Sequence, residues 1–194
     1  METTFYDLPF TLAPGRVFSP RQATERLVRA ALERIDGGSK RVADVGTGSG
    51  AIAVALAVNK PQIEVWAVDK SRDAVELARE NAHRNGVADR VHILHGDLLR
   101  PVPVPVDMVV ANLPYLPDSL HDPEYDEEPD EAVYAPGDGL EPYRRLLNAC
   151  RDGKLVVPGG VVVIQFRREA LAANCWQLED LRTELERRVE VAAA

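Results

Sequence analysis

The sequence predicts an α/β fold built on a doubly wound, mostly parallel sheet, and three observations carry that prediction. From Lys40 onward, short runs rich in β-branched residues alternate with helical patterns, as in a parallel sheet covered on both faces. A glycine-rich turn, Gly46-Thr-Gly48-Ser-Gly50, joins the first of those runs to its helix. The chain of 194 residues, 45% apolar and 28% charged, has the size and composition of one globular domain. We therefore expect a single domain over 1–194, with an N-terminal extension and helix over 1–39 and the sheet core over 40–194.

The elements follow in order. Ser19-Pro20-Arg21 opens an amphipathic helix in which Thr24, Leu27, Val28, Ala31, Leu32 and Ile35 recur at helical spacing, and Gly37-Gly38 ends it. Arg41–Val45 reads as the first strand and Ala51–Val58 as its helix; Ile63–Val68 is the second strand. The next helix starts near Ser71, a good N-cap, and stops at Asn85-Gly86, with Ala74, Leu77 and Ala78 on its buried face. Val91–His95 and Val106–Ala111 are the third and fourth strands. The prolines at 101, 103 and 105 between them suit a stiff connector, since proline cannot donate to a sheet interior. A helix from about Glu141 to Lys154 leads through Pro158-Gly159-Gly160 into a fifth strand, Val161–Phe166. Beyond it, Glu169–Arg188 is helical in character, with a short strand at Val189–Ala192.

Composition narrows the chemistry. No segment approaches the roughly 18 consecutive apolar residues of a membrane span, and the N-terminus shows no secretory pattern, so a cytoplasmic location is expected. Cys150 and Cys175 have no Cys or His partner at ligand spacing, and His92 and His95 point to opposite faces of one strand, so no metal site is expected. A net charge of -8 argues against nucleic acid as a partner. Much of the acidity lies in Asp118–Glu131, which reads as a solvated loop or, more sharply, a flap near a substrate channel.

Two constellations carry function. In Asp44-Val-Gly46-Thr47-Gly48-Ser-Gly50 the glycine spacing is G-x-G-x-G, not the G-x-G-x-x-G of a pyrophosphate site, and an acidic residue stands two positions ahead. That pattern fits a ligand with an ammonium and a carboxylate. Asp69, at the end of the second strand, suits the two hydroxyls of a ribose, and Asp97, past the third, could accept from an adenine amino group. Three successive strand ends would then face amino acid, ribose and adenine, the parts of S-adenosylmethionine. The second constellation is Asn112-Leu113-Pro114-Tyr115, after the fourth strand. The Asn112 carboxamide oxygen and the Leu113 carbonyl, held outward by the following proline, could grip both hydrogens of a planar NH2 group against the Tyr115 ring.

At these residues the chain resembles the HemK-like protein-(glutamine-N5) methyltransferases. Pro20-Arg21-Gln-Ala-Thr24-Glu25 is similar to that family's Pro-Arg-Pro-Glu-Thr-Glu segment, Asp44–Gly50 to its cofactor loop, and Asn112–Tyr115 to its Asn-Pro-Pro-Tyr signature. Glu128-Pro129, Gly137-Asp-Gly-Leu140 and Tyr143-Arg-Arg-Leu146 are similar to a stretch distinctive of the family, and the resemblance spans roughly Thr11 to Phe166. It implies a Rossmann-like sheet of the class I methyltransferase type, with a shortened C-terminal strand pair, and S-adenosylmethionine as cofactor. Asp44, Gly46, Thr47, Gly48 and Gly50 would hold the methionine part with Thr24 near it, Asp69 and Lys70 would face the ribose, and Asp97 and Leu98 the adenine. Asn112, Leu113, Pro114 and Tyr115 would form the slot for a glutamine side chain of a peptide chain release factor or another translation protein. The sequence departs from the family at Leu113, which stands for a proline and is expected to loosen the turn, at Ala23, which stands for a glutamate, and at Gln165, where an acidic residue is common. It also lacks the separate N-terminal helical domain. An exocyclic amine of a nucleic-acid base or small molecule is the alternative acceptor, and a non-catalytic binding module of the same fold is the third reading.

Overall fold

In a computed structural model, residues 1–35, 40–151 and 155–165 are described, together with the backbone of 190–193. Six strands form one sheet in the order β10-β9-β6-β3-β4-β5, every adjacent pair parallel. They are β3 (Arg41–Val45), β4 (Glu64–Asp69), β5 (Val91–His95), β6 (Val106–Ala111), β9 (Val156–Ile164) and β10 (Glu190–Ala193). The reversal of direction between β3 and β6 is a topological switch point, where the crevice outside the strand ends takes ligands.

The described helices bury their apolar residues against the sheet. α1 (Gln22–Arg34) turns Leu27, Val28 and Ala31 inward. α2 (Ala51–Asn59) is apolar all round and buried from Ala51 through Ala57, as a helix sandwiched in a core must be. α3 (Arg72–Arg84) is capped by Ser71, whose hydroxyl accepts from the Ala74 N–H at 3.4 Å, and it ends before Gly86, at φ +66°. After a short helix α4 (Asp130–Val133), α5 (Glu141–Arg151) packs Tyr143, Leu146, Leu147 and Cys150 against the opposite face of the sheet.

Four differences from the sequence expectations have local causes. Helix α1 starts at Gln22 with Arg21, extended at φ -112° and ψ 154°, in the N-cap position, while the Ser19 N–H donates to Glu128 outside the helix. β9 begins at Val156, so Pro158-Gly159-Gly160 lies inside the strand as an irregularity opposite Val106–Met108; at Gly160 a Cβ would stand 2.7 Å from Val156 Cγ1, which restricts this point to glycine. The last strand spans Glu190–Ala193, a residue later than expected, and pairs with β9. An N-terminal hairpin, β1 (Glu2–Phe5) with β2 (Leu8–Thr11), was not read from the sequence; its tight turn carries Tyr6 and Asp7 at positive φ without a glycine to mark it. The expectations for Gly37-Gly38, Lys154, Phe166, Glu169–Arg188 and Cys175 lie outside the described residues.

Asn81, fully buried on α3, ties the hairpin to the glycine-rich turn. It accepts from the Thr11 N–H at 2.7 Å and donates to the Thr11 and Ser49 carbonyls at 3.1 and 2.9 Å. Removing the carboxamide takes a partner from one buried backbone group, the Ser49 carbonyl, and from two part-buried ones on Thr11. Asn81→Ala should therefore cost about 2–3 kcal/mol in urea unfolding and raise amide exchange across residues 2–11.

Candidate active site

The cofactor-type loop owes its shape to the end of β4. The Gly46 and Thr47 N–H groups donate to the Val68 carbonyl at 2.9 and 3.0 Å, and the Gly48 N–H donates to Asp69 Oδ2 at 2.9 Å. Asp69 Oδ1 takes the Ser71 N–H at 2.9 Å, so this carboxylate fastens both the loop and the start of α3. Burial raises its pKa above the ordinary carboxylate value, against the pull of those two N–H groups. Gly50 holds φ +80°, and a Cβ there would come within 3.1 Å of Ala78 on α3, so the loop also sets how closely two helices pack.

Beneath the loop lies Asp44, fully buried at the end of β3. Its Oδ2 accepts from the Thr47 hydroxyl at 2.7 Å and the Ala53 N–H at 3.1 Å, while its Oδ1 is buried with no partner among the described residues. Burial pushes this carboxyl up to about 7, partly opposed by the two donors and reinforced by the charge of Asp69.

On the far side of the same crevice, the Asn112–Tyr115 loop leaves β6 and is held from three directions. Leu113 packs against the first glycine: a Cβ on Gly46 would lie 2.7 Å from Leu113 Cδ2. The Tyr143 hydroxyl on α5 accepts from the Leu113 N–H at 3.0 Å and lies within hydrogen-bonding distance of both the Leu113 and the Gln165 carbonyl oxygens. Burial holds that hydroxyl protonated, well above the ordinary tyrosine range. Gly139 meets the loop from behind: with φ +83°, a Cβ would be 2.3 Å from the Tyr115 carbonyl oxygen.

These contacts correct one expectation. Leu113 does not loosen the turn, because its N–H, which a proline would lack, is bonded to Tyr143. Its carbonyl oxygen lies 3.0 Å from the Tyr143 hydroxyl and keeps a second lone pair. Asn112 turns its NH2 toward the Thr24 hydroxyl, a long contact of 3.4 Å, which directs the carboxamide oxygen away from α1.

A cavity of about 520 Å³, within the usual range of about 300–1,000 Å³ for small-molecule sites, joins the two constellations. Thr24, Gly46, Thr47, Gly48, Asp69 and Lys70 line it, as do Asp97, Leu98 and the whole Asn112–Tyr115 loop. Asp44 and Gly50 stand behind it. Asp97 is paired with Arg145 and lies 3.8 Å from Arg100, so any ligand amine would share this carboxylate with a cation. Leu98, at φ +51°, turns the chain at that end of the cavity.

Of the two readings the sequence allowed for the acidic stretch, solvated loop or flap, the structure favours the flap. The acidic stretch is folded over the cavity: Tyr125 and Val133 are buried with Leu116, and β7 (Leu116–Pro117) pairs with β8 (Tyr134–Ala135). Arg21 closes it, its guanidinium 4.3 Å from the Tyr125 ring centroid, bonded to Glu124 and 3.6 Å from Glu128 Oε1. The Pro20-Arg21 and Glu128-Pro129 motifs were legible as letters, but their partnership across more than 100 residues was not. Arg145 and Tyr143 lay within a motif that gave them no role.

The arrangement fits S-adenosylmethionine on the structure's own terms. A buried carboxylate oxygen without a donor among the described residues lies under a loop of left-handed glycines that presents no basic residue, and two further carboxylates follow at the next strand ends.

Two predictions follow from this geometry. Because Asp44 titrates near 7 in the folded chain and at its ordinary 3.8 when unfolded, the folded state holds a proton that the unfolded state releases between those values. Its contribution to stability therefore falls as pH rises from about 4 to 7. Urea midpoints of the ligand-free chain should decline over that window more steeply than those of Asp44→Asn. Gly139→Ala should cost more than about 2 kcal/mol and displace the 115–117 backbone, whereas Gly137→Ala, with nothing within 4 Å, should cost about 1 kcal/mol from its φ of +68°.

The family model of the methyltransferase small domain matches residues 10–124. The release factor glutamine methyltransferase of Moorella thermoacetica is 42% identical over 167 residues, covering 84% of this chain and 58% of that protein. The enzyme of the same name from Deinococcus radiodurans is 40% identical over 176 residues, covering 85% and 62%. The chain thus spans less than two thirds of the length of these relatives. Among solved structures, the ribosomal protein L11 methylase from Lactobacillus delbrueckii subsp. bulgaricus is 27% identical, with a TM-score of 0.56 over 91% of this chain and 72% of that one. Matched by the family model over more than half its length, the chain belongs to the methyltransferase small-domain family.

Proposed function

We propose that residues 1–194 form one S-adenosylmethionine-dependent N-methyltransferase domain whose acceptor is a glutamine side-chain amide of a peptide chain release factor, a reaction of the cytoplasm. The observation that carries this reading is the seating of Asn112 and Leu113 against Gly46 in one cavity, which brings an amide-gripping loop to the cofactor loop. The names of the two bacterial relatives supply the substrate class.

Asp44 and the 46–50 loop, with Thr24 opposite, would hold the methionine part; Asp69 and Lys70 would take the ribose, and Asp97 and Leu98 the adenine. When bound, S-adenosylmethionine supplies a methyl group on a cationic sulfur that needs no further activation. The task of the chain is therefore placement and charge stabilisation. An amide nitrogen is a poor nucleophile because its lone pair is delocalised into the carbonyl. Acceptors on its two hydrogens return electron density to nitrogen as the new bond forms. Asn112 Oδ1 accepts one of these hydrogens, Pro114 and Tyr115 wall the slot, and Thr24 fixes the Asn112 carboxamide in orientation. Asn112 has no titrating group, so it polarises the amide without removing a proton; as the carbon–nitrogen bond replaces the carbon–sulfur bond, the nitrogen would give up one of its two hydrogens as a proton to water, leaving a neutral N-methyl amide.

Asn112→Ala should bind S-adenosylhomocysteine within about threefold of the wild type in calorimetry and lose about 10²–10³-fold in methyl transfer to release factor. Unchanged turnover would overturn the assignment. Parallel incorporation assays on release factor and on nucleic acid decide the acceptor, and label appearing only in nucleic acid would replace the glutamine reading.

A further inference from the structure

The loop after β5 carries a carboxylate whose two oxygens have different surroundings. Asp97 Oδ2 accepts from the Arg145 guanidinium and lies 3.8 Å from Arg100 Nη1. Its Oδ1 has no partner among the described residues, while the side chain is 35% exposed and lines the cavity. Both cations thus gather on one oxygen and leave the other without a protein donor.

The backbone under this carboxylate is held independently of it. The Gly96 N–H donates to the Asp69 carbonyl at 2.9 Å, the Arg100 N–H donates to the Asp97 carbonyl at 3.2 Å, and Leu99 is buried. Between them Leu98 adopts φ +51°, a left-handed conformation that a leucine keeps only where its surroundings fix it. The side chain of Asp97 is fixed from elsewhere. Arg145 comes from α5, 48 residues along the chain, where it shares a helix face with Pro142, and both line the cavity. Tyr143 on the same helix is buried and takes the Leu113 N–H. One helix therefore braces both the acceptor loop and the loop after β5.

An exposed ion pair of this kind adds little to stability. Its effect is directional. A guanidinium bonded to Oδ2 holds the carboxylate plane and offers Oδ1 as a single acceptor to a donor arriving in the cavity. That donor is an uncharged amino group, because a cationic one would be repelled by Arg145 and Arg100 beside it.

We infer that Arg145 is a positioning residue for the base of the cofactor: it fixes Asp97 so that Oδ1 accepts from the exocyclic amino group of adenine, and so sets the preference for adenine over a purine without that donor. This rests on the reading above in which Asp97 faces the adenine.

The test compares, by calorimetry on the full chain, the binding of S-adenosylhomocysteine with that of its analogue in which purine replaces adenine and the amino group is missing. The wild type should prefer S-adenosylhomocysteine about tenfold or more, as expected of a hydrogen bond to a charged acceptor. Arg145→Ala should bring that preference below about threefold by weakening S-adenosylhomocysteine, with the analogue within about twofold of its wild-type affinity. Arg145→Lys, which keeps a cation beside Oδ2 but not the planar fork, should restore part of the preference. A merely structural role would weaken both ligands alike and leave their ratio unchanged. An unchanged ratio in Arg145→Ala overturns the inference and leaves the adenine reading of Asp97 standing. A wild type that binds neither ligand, or does not distinguish them, overturns the adenine reading, and the role of Arg145 falls with it. Should the alanine variant not fold, Arg145→Met, which keeps an apolar stem and removes the donors, takes its place under the same criteria.

Discussion

The Tyr143 hydroxyl is the interaction on which the site depends. It is buried, protonated and shared among the Leu113 N–H, the Leu113 carbonyl and the Gln165 carbonyl, so it joins α5, the exit of β6 and the exit of β9 at one oxygen. Loops at strand ends are ordinarily the mobile part of an α/β fold. Here the loop that grips the acceptor is fixed by a side chain from the helix beneath it and by Gly139, which admits no Cβ against the Tyr115 backbone. This explains the stretch from Gly137 to Leu146 in physical terms: Gly139 sets the approach, Asp138 anchors Arg144 in a charged pair, Leu140 and Leu146 fill the core, and Tyr143 bonds the loop.

The same logic organises the cofactor side. Asp69 and the Val68 carbonyl take the N–H groups of Gly46, Thr47 and Gly48, so the glycine loop is shaped by its neighbouring strand before any ligand arrives. Such preorganisation lowers the ordering cost of binding. Leu113 against Gly46 then couples the two halves, so that a change of volume at either position is felt at the other. Over the top, Arg21 and the acidic stretch form a clasp between the N-terminal segment and residues 122–129. The concentration of carboxylates there serves this clasp in part: Glu128 receives the Ser19 N–H and faces Arg21.

Most of the sheet was legible because parallel strands buried on both faces read as short apolar runs, and helices between them read by period. The strands at Arg41–Val45, Val91–His95 and Val106–Ala111 have the bounds the sequence suggests. The N-terminal hairpin escaped because its turn uses Tyr6 and Asp7 at positive φ, where glycine or asparagine would have been the signal. The start of β9 escaped because Pro158-Gly159-Gly160 carries the composition of a turn, and only the register against β6 shows it as an interruption within a strand.

By itself the sequence determined the α/β order, the glycine-rich loop, the succession of Asp44, Asp69 and Asn112 at strand ends, and the family, because each of these is written in local spacing. The tertiary structure alone decided that Leu113 tightens its turn, that Arg21 reaches Glu124 and Glu128, and that Asn81 ties Thr11 to Ser49. The reason is distance along the chain. Those contacts join residues 30 to more than 100 positions apart, and a hydrogen bond across such a span is fixed by sheet register and helix packing, which local pattern does not encode.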